Sequence, residues 1–384
     1  MLRDRFLNLN DFEVAARRRL PKSVYSYIAS AVEDGRSLKM NREAFDRYAL
    51  LTRVMVNVSQ VSTEVELFGQ RFAAPIGVAP MGLAALSSYR GDLVLARAAS
   101  ACNVPVVMSG SSLIPLEEVM EAVPGTWFQA YLPGDQAQID ALMSRVRSAG
   151  TKTLVITVDT PAVGNREADR RAGFSAPLRP GPRLAWQGGT RPRWLTEVLL
   201  RTLLRHGMPH FENNYAQRGA PILSRNVLRD FSDRRHLNWD HLRTIRRQWR
   251  GALIVKGILH PLDARTAREI GVDGIVISNH GGRQLDGAVP PLRMLPRVME
   301  EAGELPVLVD SGIRRGTDVV KLLSLGARAV LIGRPFGFAA AMAGQPGVEH
   351  AIRLIWSELS RNMQMMGVTR LADLGPEFLV DMDR

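Results

Sequence analysis

Gly274-Ile275-Val276-Ile277-Ser278-Asn279-His280-Gly281-Gly282-Arg283 sets three β-branched residues in a row and then changes character at Ser278. An apolar run without alternation is the pattern of a strand buried on both faces. Past Ile277 the chain turns polar and glycine-rich, and farther on Leu292–Ala302 reads as a helix. The same grammar recurs along the chain. The other runs are Pro75–Ala79, Val104–Met108, Thr126–Ala130, Thr153–Val158, Leu253–Val255, Pro306–Val309 and Ala329–Ile332. Between them Arg90–Cys102, Asp135–Ala149, Pro261–Ile270 and Gly316–Leu325 carry helical patterns.

Strand–helix alternation of this kind makes an α/β protein with a parallel sheet. A doubly wound sheet shares the local grammar, so the run ends decide. They carry Pro80-Met81-Gly82, Ser109, Gln129 and Tyr131, Thr157 and Asp159, Lys256, Ser278-Asn279-His280, Asp310, and Gly333-Arg334. Eight strand ends rich in binding and reactive groups converge on one mouth only if the sheet closes, which predicts a (β/α)₈ TIM barrel. The expected organisation is a single domain over 1–384, with an N-terminal helical cap (1–70) and a long insertion after the fourth strand (160–250). About 95 residues separate the fourth and fifth runs, and connections of such length are usually functional.

Composition narrows the class. The chain is 46% hydrophobic and 23% charged, the balance of a folded globular protein. Cys102 stands alone, so no intrachain disulfide can form. Met1–Phe6 lacks the apolar stretch of a signal peptide and no run of 18 apolar residues occurs, which predicts a cytoplasmic protein. The formal net charge of +12 asks for an anionic partner. Between Arg166 and Arg250 stand 18 arginines, no lysine and seven acids, so nearly all of that charge lies in the insertion.

The chemistry concentrates at the strand ends. His280 and Arg283 put a proton acceptor and a carboxylate clamp within four residues, a combination suited to an acidic substrate that must lose a proton. A loop histidine with a surface arginine is the plain alternative. Asp159 could orient His280 and stabilise its protonated form, or could cap a helix. Lys256 at the end of a buried strand suits a ligand atom that gains negative charge. Asp310-Ser311-Gly312-Ile313-Arg314 and Gly333-Arg334 end the seventh and eighth strands, where barrels commonly bind phosphate. Surface turns with solvated arginines are the alternative there.

The run Ser278–Asp286 resembles the signature of the FMN-dependent 2-hydroxy-acid dehydrogenase and oxidase family. The likeness extends from Leu20–Tyr27 to about Gly347 and is nearest to bacterial (S)-mandelate and L-lactate dehydrogenases. The resemblance implies an FMN cofactor and a residue-by-residue assignment. Pro80, Met81, Gly82 and Ser109 would contact the flavin ring; Gln129 and Thr157 would bond its edge. Lys256 would stabilise the reduced anionic ring, and Ser278 and Asp310 would hold the ribityl chain. Ser311, Gly312, Arg314, Gly333 and Arg334 would bind the phosphate. Arg166 and Arg283, with Tyr27, would grip the substrate carboxylate, and Tyr131 would touch the 2-hydroxyl. His280 would be the base and Asp159 its partner.

The implied reaction oxidises an (S)-2-hydroxy acid to the 2-keto acid. His280 takes the hydroxyl proton in a hydride mechanism and the α-proton in a carbanion mechanism; sequence leaves both open. Gly82 stands where many oxidases have alanine, and Ser111 where glycolate oxidase has tryptophan, so a larger substrate is expected. In the insertion, Trp194, Leu195, Val198, Leu199 and Leu203 share one helical stripe and Glu197, Arg201 and Arg205 another. Arginine and tryptophan on an amphipathic helix predict peripheral membrane contact through 178–225, on the inner face of the cell membrane. The resemblance adds a quinone as electron acceptor and a homo-oligomer, a tetramer in this family. Nucleic acid is not expected, since no recognition motif accompanies the charge. Three alternatives remain open: an oxidase that reduces O₂ to peroxide, another FMN barrel enzyme such as an isomerase, and a non-catalytic flavin-binding scaffold on a membrane.

Overall fold

The eight apolar runs form eight parallel strands in a computed structural model that describes residues 2–175, 178–224 and 234–383. They are β1 (Ile76–Val78), β2 (Val107–Ser109), β3 (Trp127–Ala130), β4 (Thr153–Thr157), β5 (Ala252–Ile258), β6 (Gly274–Ile277), β7 (Val307–Val309) and β8 (Ala329–Ile332). The pairing order is β1-β8-β7-β6-β5-β4-β3-β2. A parallel bridge between Val78 and Val106, with the Val78 amide donating to the Pro105 carbonyl at 2.8 Å, joins β1 to β2 and closes the barrel. A helix follows each strand: α1 (Gly91–Ala101), α2 (Leu116–Ala122), α3 (Gln136–Ser148), α4 (Trp239–Gln248), α5 (Pro261–Ile270), α6 (Pro291–Ala302), α7 (Gly316–Ser324) and α8 (Arg334–Met365). Gly344, with φ +59°, breaks α8 into two segments.

Strand alternation sorts the apolar residues into two cores. Val107, Trp127, Val155, Ile254, Val276, Leu308 and Leu331 fill the barrel interior. Their neighbours Phe128, Leu154, Ile156, Val255, Ile275, Ile277, Val309 and Val330 face outward into the helix layer. Both faces are therefore apolar, which is why the strands show no alternation in sequence. The N-terminal end of the barrel is plugged by an antiparallel hairpin, Val65–Leu67 with Gln70–Phe72. Its Phe68 and Phe72 rings meet Trp127 edge-on, with centroids 5.4 and 6.2 Å away.

Ahead of the barrel, helices occupy Leu2–Arg5, Leu9–Arg19, Lys22–Ala29 and Arg36–Glu43. Beyond Arg47 this region turns to strand: Tyr48–Leu50 pairs with Leu379–Asp381 and ties the two ends of the chain together. The run assigned to Leu253–Val255 extends to Ile258, past an irregularity at Gly257, whose φ is +108°. Lys256 thus lies inside β5, and the bulge re-aims the strand beside the active groups.

The insertion differs from its sequence reading in one respect. Helix does cover Pro192–His206, but Leu195–Leu200 is π-helical. Trp194 and Val198 are buried, Leu195 and Leu199 pack on the main core, and the Trp194 indole donates to the Leu86 carbonyl at 2.8 Å. The stripe expected to face lipid is therefore packed on the barrel. An amphipathic pattern records only that one face is apolar, and protein covers such a face as well as lipid does. Among the described residues of the insertion, the large apolar side chains left exposed are Val163 (63%), Trp186 (74%), Leu200 (42%), Leu204 (85%), Met208 (38%) and Leu223 (37%). Residue 225, the end of the range expected to make membrane contact, lies outside the described residues. No helix among the described residues is long and apolar enough to cross a membrane.

Candidate active site

Each of five barrel strands carries an apolar inward residue and, two positions later, the group that reaches the C-terminal mouth. Trp127 is followed by Gln129, Val155 by Thr157, Ile254 by Lys256, Val276 by Ser278 and Leu308 by Asp310. The strand period of two places these polar groups above a dry floor. Thr157, Lys256 and Asp310 line a cleft of about 1270 Å³, open mouth included, and Gln129 and Ser278 stand behind its wall.

His280 leaves β6 in the left-handed region, φ +57°. This uncommon conformation for a non-glycine residue is held by its own amide donating to Ser278 Oγ at 3.0 Å. The imidazole Nδ1 meets Asp159 Oδ1 at 2.9 Å. Gly281 and Gly282 follow with φ of +65° and +72°. A side chain on Gly282 would stand 2.7 Å from the Leu38 amide nitrogen, so the loop can pass beneath the N-terminal helices only as glycine.

The surroundings of His280 act on its ring in opposing directions. Burial pulls its pKa below the ordinary histidine value; Asp159 pushes it back up, and Lys256 and Arg166 add to the lowering. The ring is therefore neutral at neutral pH. With Nδ1–H donated to a carboxylate, Nε2 carries the free lone pair. Burial alone would raise Asp159, but the charges of His280 and Lys256 outweigh it and hold the carboxyl below its usual range. Lys256 is 4% exposed and lies 3.0 Å from Asp310 Oδ2 and 2.8 Å from Ser278 Oγ. Burial would lower it, yet Asp310 and Asp159 together raise it, so it stays charged. Ser311 Oγ bonds Asp310 Oδ1 at 2.7 Å and accepts from the Gly281 amide at 3.0 Å, joining the seventh strand end to the histidine loop.

Four arginines enter the same cleft: Arg166, Arg283, Arg314 and Arg334. Arg283 Nη1 donates to the Ser30 carbonyl at 2.8 Å, and Arg334 donates to the same oxygen at 2.9 Å and to Ile28 at 3.1 Å. These carbonyls end the helix Lys22–Ala29, whose dipole favours cations there. Arg283 also lies over the Tyr27 ring, 5.2 Å from its centroid. Arg166 reaches Gln284 Oε1 at 3.3 Å. Burial depresses Arg314 to about 10, with Arg42 contributing. Burial, and then Arg283 and Arg314, pushes Arg334 well down. Guanidiniums crowded this way favour a bound anion.

Of the residues singled out in sequence, Tyr27, Pro80, Met81, Gly82, Tyr131, Thr157, Arg166, Lys256, His280, Arg283, Asp310, Ser311, Gly312, Arg314, Gly333 and Arg334 line this one cleft. Asp159, Ser109, Gln129 and Ser278 do not. Asp159 stands behind His280, and Ser278 behind Lys256. Gln129 is fully buried and accepts from Ser109 Oγ at 3.2 Å. Sequence reasoning missed Gln284, whose side chain bridges Arg166 and the Asp159 carbonyl. It also missed the Ile28 and Ser30 carbonyls. The signal for Gln284 was its place directly after Arg283; for the carbonyls there was none, because any residue supplies one.

The site fits a flavin nucleotide. Gln129 Nε2 and Thr157 Oγ1 are buried without a hydrogen-bond partner, at the strand ends expected to face the ring. Such orphans are costly unless a ligand satisfies them. Arg314 and Arg334, partly buried at the last two strand ends, would suit a phosphate as its cationic seat.

The family of FMN-dependent dehydrogenases matches residues 16–381, and the chain belongs to it. It is an FMN-dependent 2-hydroxy-acid dehydrogenase, an oxidoreductase acting on 2-hydroxy acids. Its relatives include L-lactate dehydrogenase of Stenotrophomonas maltophilia (strain R551-3), 40% identical over 379 residues, covering 97% of this chain and 98% of that one. Among solved structures, the monotopic membrane protein (S)-mandelate dehydrogenase superposes with a TM-score of 0.88 at 32% identity, covering 98% and 99%. A mandelate oxidase variant gives 0.80 at 33% identity, covering 98% of each chain.

Proposed function

We propose that the enzyme oxidises a mandelate- or lactate-like (S)-2-hydroxy acid to its 2-keto acid and delivers the electrons to a membrane quinone. The observation that carries the chemistry is the neutral His280, bonded through Nδ1 to the largely buried Asp159 and open to the cleft beside two arginines. Bound FMN supplies the two-electron acceptor; the chain's own residues do the rest. Arg283 and Arg166 hold the substrate carboxylate, with Tyr27 supporting Arg283 from below. Tyr131 positions the 2-hydroxyl. His280 Nε2 accepts a proton from the substrate, and Asp159 stabilises the imidazolium that results. Lys256, buried and held beside Asp310 and Ser278, would supply a fixed positive charge to stabilise the reduced, anionic flavin. Pro80, Met81, Gly82 and Ser109 would contact its ring, Gln129 and Thr157 would hydrogen-bond the ring's edge, and Ser278 and Asp310 would hold the ribityl chain. Ser311, Gly312, Arg314, Gly333 and Arg334 hold the phosphate.

Small side chains at Gly82 and Ser111 in the cleft wall favour a bulky substrate. Exposed Trp186, Leu200 and Leu204, with exposed Arg183, Arg193, Arg201 and Arg205 around them, form the surface we assign to peripheral contact with the inner face of the cell membrane. A homotetramer belongs to the same reading, on family likeness.

Anaerobic mixing with a panel of 2-hydroxy acids tests the reading. Stoichiometric bleaching of the flavin by one (S)-isomer, its reoxidation by a soluble quinone and little peroxide under air are expected. No bleaching by any 2-hydroxy acid refutes the substrate class, and rapid stoichiometric peroxide formation refutes the quinone assignment.

A further inference from the structure

The arginine-rich insertion has two ends, and the cleft and the proposed membrane face use only one. In a β/α unit the helix runs antiparallel to its strand, so the α4–β5 junction lies at the N-terminal end of the barrel, away from His280 and Arg334. There the α3–β4 and α4–β5 junctions and the plug hairpin enclose an open groove. Arg147, Lys152, Arg247 and Arg250 line it, all exposed, and among the described residues no aspartate or glutamate does.

Helix capping does not account for these four cations. The backbone carbonyls just past α4, of Trp249 and Gly251, are already taken by Arg246, which also pairs with Asp273 at 2.6 Å. On α3 it is Arg145 that is tied, to Glu117 at 2.7 Å and to the Glu212 and Tyr215 carbonyls. Arg147, Lys152, Arg247 and Arg250 have no carboxylate within ion-pair distance among the described residues. A second, independent feature lies between them. Thr151 is 7% exposed, lines the groove and has a hydroxyl with no partner.

We propose that this groove is a second ligand site, one that binds an oligophosphate anion. Two or more linked phosphates carry enough charge to engage four cations spread over two junctions, and arginine forks match phosphate oxygens in pairs. The Thr151 hydroxyl supplies a neutral donor at the groove wall. The site is separate from the flavin phosphate seat, which lies at the other end of the barrel.

The test is calorimetric titration of the FMN-loaded enzyme, whose flavin phosphate seat is filled, with sodium tripolyphosphate at low ionic strength. Saturable binding of one anion per protomer is expected, weakened by potassium chloride. A Lys152→Gln/Arg250→Gln variant should bind about tenfold more weakly, with flavin absorbance and 2-hydroxy-acid turnover unchanged. Arg247→Gln alone should weaken binding by a smaller factor. Tighter binding of adenosine triphosphate than of tripolyphosphate assigns the anion to a nucleotide; equal or weaker binding assigns it to a free oligophosphate. The proposal is overturned if tripolyphosphate does not saturate, if citrate binds equally well, or if the double variant binds like the native enzyme.

Discussion

Replacing Asp159 with asparagine should separate chemistry from binding. The carboxylate is largely buried, 2.9 Å from His280 Nδ1, and does not line the cleft. Two unit charges about 4 Å apart at an effective dielectric near 20 interact by about 4 kcal/mol. Asp159 also faces Lys256, so part of that interaction is already spent on a group whose charge does not change. About 3–4 kcal/mol of stabilisation for the imidazolium would be lost, roughly 10²–10³-fold in rate. The amide can also hold the ring in the wrong tautomer, which deepens the loss. The sign of the pH effect is fixed by the same contacts. Burial, Lys256 and Arg166 lower His280, and Asp159 alone opposes them. Without the carboxylate the pKa falls further, so the acidic limb, where protonated His280 cannot act as base, moves to lower pH. Anaerobic stopped-flow bleaching across pH reads both effects, and flavin absorbance should show full FMN occupancy. A variant that reduces its flavin within tenfold of the native rate, with an unmoved acidic limb, would refute the pairing.

Further outcomes rest on the same geometry. His280→Ala should keep FMN and lose at least 10²–10⁴-fold in flavin reduction, roughly the share of a positioned acid–base group; near-native bleaching would remove it as the base. With a dye acceptor, (S)-mandelate should exceed glycolate in kcat/KM by about 10–100-fold, since burying the larger group contributes roughly 1.5–3 kcal/mol; a preference for glycolate would mean the space beside Gly82 and Ser111 is closed. Trp186→Ser with Leu204→Gln should move the enzyme from vesicles of anionic lipid into solution without altering flavin reduction, and unchanged sedimentation with vesicles would count against the membrane face. Asp92→Asn should raise the melting temperature at pH 8 and do little at pH 4. Burial lifts Asp92 to about 7, so the native chain loses stability as pH rises from the ordinary carboxylate range through 7; an equal shift at both pH values would contradict this.

The barrel was legible because its cause is local. Strands buried on both faces must be apolar throughout, and each must hand its last inward position to the mouth. The runs before Gln129, Thr157, Lys256, Ser278 and Asp310 therefore named the fold and pointed to the strand ends that gather around one cleft. The hairpin plug and the strand at Tyr48–Leu50 escaped, because they lie outside the repeated strand–helix alternation that made the equally short β1, β2 and β7 legible.

Other features lay beyond sequence for the same reason, that they depend on what a residue touches. The stripe Trp194–Leu199 reads as an apolar face, and only packing shows that the barrel covers it, while Leu200 at the end of the π-helical segment and Leu204 beyond it stay exposed. The shared Ser30 carbonyl that holds Arg283 and Arg334 joins residues some 250 and 300 positions apart through a backbone atom common to every residue. Sequence counted the insertion's arginines as one block; the antiparallel run of α4 divides them between opposite ends of the barrel. Residue types at the strand ends pointed to an acidic substrate that loses a proton, and the resemblance carried by Ser278–Asp286 supplied the reaction class. Long-range packing decided which charges act together.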